Sequence, residues 1–112
     1  MEATLTKDFI KGAIAAETEN AKKNWGDTYH SEHEAWAVLN EEIEESHEEL
    51  CKIANVQGVL WNFVKKQKDS EDFPKKKENL AYMKDCAMAL AIEAVQIAAV
   101  AQKFIDTLEA QK

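Results

Sequence analysis

The chain is poor in the residues that turn or break a backbone. It has 3 Gly and 1 Pro in 112 residues. That is too few for the repeated tight turns of a β-rich fold, so long helices are expected. The basic clusters that grip a phosphate backbone are missing too. No Arg-rich stretch occurs and the net charge is −7, which argues against duplex nucleic acid as a partner. The two cysteines, Cys51 and Cys86, fit no C-x-x-C spacing for metal or redox work. Each lies beside apolar residues within a predicted helix, where a buried free thiol is expected. Met1-Glu2-Ala3-Thr4-Leu5 lacks the basic start and apolar run of a secretory leader. The most apolar stretch, Ala87 to Ala101, is interrupted by Glu93 and Gln96 and is shorter than a membrane span. Together these absences predict a cytoplasmic protein with no membrane partner.

What is present is helical patterning over a single domain covering residues 1–112. The hydrophobic share of 46% can supply a core and the charged share of 31% can solvate its outside. Four segments are predicted. The first runs from Thr4 to Lys22, with Leu5, Phe9, Ala13 and Ala16 at helical spacing and Gly26 as a stop. The second opens at Ser31, whose S-x-x-E run to Glu34 has the form of a capping box, and extends to Asn55 or Val56. Trp36, Leu39, Ile43 and Leu50 share one of its faces and a row of glutamates the other. A short third helix is expected from Val59 to Lys68, then a loop over Asp69 to Asp72. The fourth begins at Pro74, a residue suited to a first helical turn, and runs to Ala110. Between Cys86 and Ala101 it is apolar on nearly every side, so it needs covering all round, by its own chain or by a partner subunit. It is expected to be the centre of the core. Four segments are few for that cover, which predicts a homodimer or homotetramer.

Three groups of residues bear on chemistry. In Glu41-Glu42-Ile43-Glu44-Glu45, Glu42 and Glu45 project from neighbouring positions of one helix face. They can share a hard divalent cation, or serve only as a solvated surface. Glu93 and Gln96 interrupt the apolar helix. A carboxylate there is costly unless it is paired, protonated or bound to metal. Either a metal site or a salt bridge with Lys84 or Lys103 meets that need. Glu44-x-x-His47 has the spacing of a di-iron ligand pair, but no second E-x-x-H exists. His30 and His33 have no cysteine near enough to complete a zinc tetrahedron. The histidines are read as surface or capping groups.

Taken together, the two carboxylate patterns resemble the signature of the all-α nucleoside triphosphate pyrophosphatases, the MazG-like group related to the dimeric dUTPases. That signature is an EE-x-x-E motif followed by E-x-x-D on a later apolar helix. Glu41-Glu42-Ile43-Glu44-Glu45 matches the first motif in full, and Glu93-Ala94-Val95-Gln96 matches the second except at its last position. The stretches His33 to Leu39 and Glu93 to Ala99 resemble small members carried by phages and prophages of Gram-positive bacteria. The resemblance covers about Trp25 to Ile105.

It implies a four-helix bundle-like fold and Mg²⁺-dependent hydrolysis, with Mn²⁺ as a substitute, of an NTP or dNTP to the monophosphate and pyrophosphate. By carry-over, Glu42, Glu45 and Glu93 would be metal ligands, with Gln96 at the fourth ligand position. Glu41 would be an outer ligand or base. Lys65, Lys66 and Lys84 are further candidates for phosphate contact. Gln96 brings no charge, which leaves open a member that binds nucleotides or serves a structural role without hydrolysis.

Overall fold

A computed structural model of the chain describes residues 5–65 and 73–111. Three α-helices account for nearly all of them, α1 (Lys7–Trp25), α2 (Glu32–Val64) and α3 (Phe73–Ala110), and no strand occurs among the described residues. The all-α class is therefore as expected, but the count of helices is not. The second and third predicted segments are one continuous helix. Only Gly58 lies where a break was expected, and an interior glycine weakens a helix by roughly 1 kcal/mol relative to alanine without removing a hydrogen bond. The expected loop at Asp69 to Asp72, with Lys66 and Lys68, lies outside the described residues.

The helix ends follow from local chemistry. Thr6 caps α1, its Oγ1 accepting from the Phe9 N–H at 3.1 Å. At the other end the Gly26 N–H donates to the Lys22 carbonyl, and Gly26 has φ of 92°. A side chain would be strained in that conformation, so the stop depends on glycine. Ser31 caps α2, its Oγ accepting from the Glu34 N–H at 3.1 Å. The reciprocal half of the expected capping box is displaced by one residue. Glu34 accepts from the His30 N–H at 3.3 Å and lies 3.1 Å from His30 Nδ1.

The chain divides into two compact units, residues 1–44 with 93–112, and residues 45–92. The first holds α1, the start of α2 and the end of α3. Its interior is small: Ala35 and Ala99 are buried, and their size lets helix backbones approach closely. Polar links lock it together. Lys22 of α1 pairs with Asp106 of α3 at 2.8 Å. Thr107 accepts from the Tyr29 N–H at 3.0 Å and donates to the Lys103 carbonyl at 2.8 Å, fixing the α1–α2 connection to the last helix.

In the second unit Val56 and Cys86 are buried, and Lys52 pairs with Glu49 at 3.0 Å. Cys51 is exposed, with its sulfur 3.5 Å from His47 Nε2, so only Cys86 is the buried thiol expected of both. The larger departure concerns the core. Met88 and Ile92 of α3 are 59% and 60% exposed, and Trp36, Ile43 and Leu50 of α2 are exposed as well. The apolar faces are formed as the periodicity requires, but the described residues do not cover them. By length and composition, α3 is also apolar enough to cross a membrane.

Candidate functional site

The first unit brings Glu42, from the start of the first glutamate motif, against the second motif. Glu42 on α2 and Glu93 on α3 are both half-buried, and each offers an oxygen within 4.8 Å of the other's. Glu45 follows Glu42 by three residues on the same helix. It is exposed and is the first residue of the second unit. Glu41 is exposed and stands outside the group, since it projects from a neighbouring face of α2. The salt bridge considered for Glu93 is not formed among the described residues, where Lys103 and Lys84 make no ion pair with it.

Gln96 supplies the partner instead. With its NH₂ turned toward the acids, it donates to Glu93 Oε2 at 3.2 Å and to Glu42 Oε2 at 3.1 Å. One neutral amide thus bridges two carboxylates from different helices. Rotating that amide by half a turn puts its carbonyl oxygen in the same place. Neighbouring oxygens in an octahedral Mg²⁺ shell lie about 3.0 Å apart, given bonds of roughly 2.1 Å. The three side chains can therefore hold a hydrogen-bonded arrangement or present three oxygens to a hard cation, and the change requires only an amide rotation.

Glu42 and Gln96 also line a cavity of about 420 Å³ walled wholly by the first unit; Glu93 is not among its lining residues. Small-molecule sites commonly span roughly 300–1,000 Å³. Glu42 and Gln96 line one end. The other holds Tyr29, His30, Glu34 and Lys103, with Trp25 at the rim, and Val38, Ala99 and Val100 form apolar walls. Glu34 precedes Glu42 by about two turns of α2, while Lys103 follows Gln96 by two turns of α3. At about 1.5 Å rise per residue the two ends are separated by roughly 10–12 Å.

The electrostatics differ between the ends. Burial, and then the charges of Glu42 and Glu34, push the Tyr29 phenol above its ordinary value near 10.0, so the hydroxyl stays protonated and can donate. Glu34 is held below the usual carboxylate range, first by its contacts with His30, with the Lys103 charge contributing. Lys103 is 4% exposed, and its ammonium sits 4.3 Å from the centroid of the Tyr29 ring.

The chain matches no family model, no curated protein and no solved structure.

Sequence reasoning placed Glu42, Glu93 and Gln96 without a guide to their register. It missed the far end of the cavity altogether. Lys103 was read as a charge partner for Glu93, and Tyr29 carried no signal in the sequence beyond its place in a short polar connection.

Proposed function

We propose that the chain is a Mg²⁺-dependent nucleoside triphosphate pyrophosphohydrolase of MazG-like type. The observation that carries this reading is a pair of carboxylates from two helices, joined through Gln96, with Glu42 and Gln96 lining a cavity of nucleotide size. Glu42, Glu93, the Gln96 carbonyl oxygen and Glu45 are the ligands. Mn²⁺ can replace Mg²⁺, because both accept oxygen donors in octahedral geometry. A bound divalent ion supplies neutralisation of phosphate charge and a water made more acidic. The acids hold the ion, and Glu41 acts as outer ligand or base, a role that rests on the motif alone. Water adds at the α-phosphorus, the α–β bridging bond breaks, and a nucleoside monophosphate and pyrophosphate leave. The aromatic faces of Trp25 and Tyr29 give the base something flat to rest against.

The apolar faces of α2 and α3 are covered by further copies of the chain, completing a four-helix bundle-like assembly as a dimer or a tetramer. That assembly works in the cytoplasm, where its substrates are made, and needs no lipid.

A second reading is favoured by the same amide. Because Gln96 satisfies both carboxylates without an ion, the chain can be a nucleotide binder or a structural member that no longer hydrolyses. Incubating the protein with a panel of NTPs and dNTPs in Mg²⁺ or Mn²⁺, and measuring pyrophosphate, separates the two. Metal-dependent release, lost in Glu93→Gln, supports the hydrolase. Metal-dependent binding without release supports a nucleotide binder, and the absence of both binding and release leaves only the structural member.

A further inference from the structure

The far end of the cavity carries an ammonium group with no carboxylate partner. Lys103 is 4% exposed, lines the cavity, and makes no ion pair or side-chain hydrogen bond among the described residues. Its neighbour is the face of the Tyr29 ring, at 4.3 Å. An aromatic face attracts a cation but accepts no conventional hydrogen bond, so the three N–H donors remain available to whatever enters. The side chain as a whole is nearly buried while its ammonium lines the cavity, so an acceptor that enters there and displaces water meets its donors. Glu34 lines the same end. His30 supports its carboxylate from one side, and a carboxylate has about four acceptor positions, so capacity remains.

We propose that Lys103 and Glu34 form a donor–acceptor pair that reads the lactam edge of a nucleobase, a carbonyl beside a ring N–H. This inference rests on the nucleotide reading of the site. If the triphosphate is held at Glu42 and Glu93, the roughly 10–12 Å of helix to Lys103 is comparable to the reach of a nucleoside from its 5′ phosphate to its base edge. Lys103 donates to the carbonyl and Glu34 accepts from the adjacent N–H. Guanine, uracil and thymine present that pair. Adenine and cytosine present an amino group where the carbonyl would be, which places two donors together at Lys103. The predicted preference is for keto over amino bases.

The test is calorimetric titration of the full chain, in Mg²⁺, with α,β-methylene analogues of UTP, GTP, ATP and CTP. The UTP and GTP analogues should bind about ten-fold or more tightly than the other two, since a well-placed pair of hydrogen bonds discriminates by roughly 1–3 kcal/mol. Lys103→Met should bring the four affinities to within about two-fold of each other. Glu34→Ala removes the acceptor and should lose most of the discrimination while keeping the analogues bound. Since Glu34 also accepts from the His30 N–H, the variant's melting temperature is measured alongside to confirm that it folds. Equal affinities in the unaltered chain, or a preference that survives both substitutions, overturns the base-reading pair and leaves the hydrolase proposal standing. Binding of none of the four removes the nucleotide reading and the inference with it.

Discussion

Gln96 faces Glu42 across the boundary between α3 and α2, with its side-chain nitrogen 3.1 Å from Oε2. The contact gives two half-buried acids from different helices a shared hydrogen-bond donor. It also occupies the position a ligand oxygen would take. Whether the site works through an ion or through the amide is therefore decided at one side chain.

Gln96→Asp should separate these states. Without divalent metal the change replaces two charge-assisted hydrogen bonds with a third negative charge, and the melting temperature should fall by on the order of 5–10 °C. Millimolar Mg²⁺ should restore it, because a ligand that binds only the folded state stabilises by about 2.7 kcal/mol at one hundred times its Kd. A variant that melts as the original does, with or without Mg²⁺, contradicts the placement of an ion among these side chains.

The Lys22–Asp106 pair makes stability depend on pH at both extremes. Hydrogen bonds from Lys22 and then Gln102 hold Asp106 below its ordinary value of 3.8, and Asp106 raises Lys22 above 10.5. A depressed carboxylate stabilises fully above its ordinary value, and the contribution is lost as pH falls through the depressed one. A raised lysine stabilises fully below its ordinary value and ceases to contribute as pH rises through the raised one. The pair is thus intact through the neutral range. Asp106→Asn should lower the melting temperature there by at most a few degrees, since partly exposed pairs contribute little. It should also flatten the acid limb of a melting-temperature profile below pH 4.

Tyr29 reports on Glu42. In a Tyr82→Phe background, absorbance titration should show its phenol ionising above 10.0, because burial and then Glu42 and Glu34 disfavour the phenolate. Glu42→Gln should move it partway back, leaving the share due to burial. An unchanged titration curve indicates that Glu42 does not face this end of the cavity electrostatically.

Much of this was legible in the sequence. A hydrophobic period of 3.6 marked the helices, Gly26 marked a stop, and an acid inside an apolar helix marked Glu93 as needing a partner. The continuity of α2 was not legible. A glycine between two apolar stretches looks the same whether the helix breaks or carries on, and packing decides. The place of Lys103 was hidden for another reason. Its contact with Tyr29 joins residues far apart in the chain, and no spacing rule encodes which side of α3 meets the connection after α1. Whether the chain or a partner subunit covers the apolar faces was not legible either, because periodicity identifies an apolar face and says nothing about what lies against it.

Those uncovered faces give a direct expectation. Light scattering at micromolar concentration should report a dimer or tetramer, and Ile92→Lys, which places a charge on an exposed apolar position of α3, should shift the population toward monomer. A monodisperse monomer in the unaltered protein contradicts the assembly.

The central claim is that the carboxylates of Glu42 and Glu93 share one hard cation with Gln96. A crystal soaked in Mn²⁺ and measured at the manganese edge tests this most directly. The predicted result is an anomalous peak within about 2.2 Å of oxygens from both glutamates, with the Gln96 amide turned to present its carbonyl oxygen. A well-ordered site with no peak, and with Gln96 still donating to both acids, would contradict it.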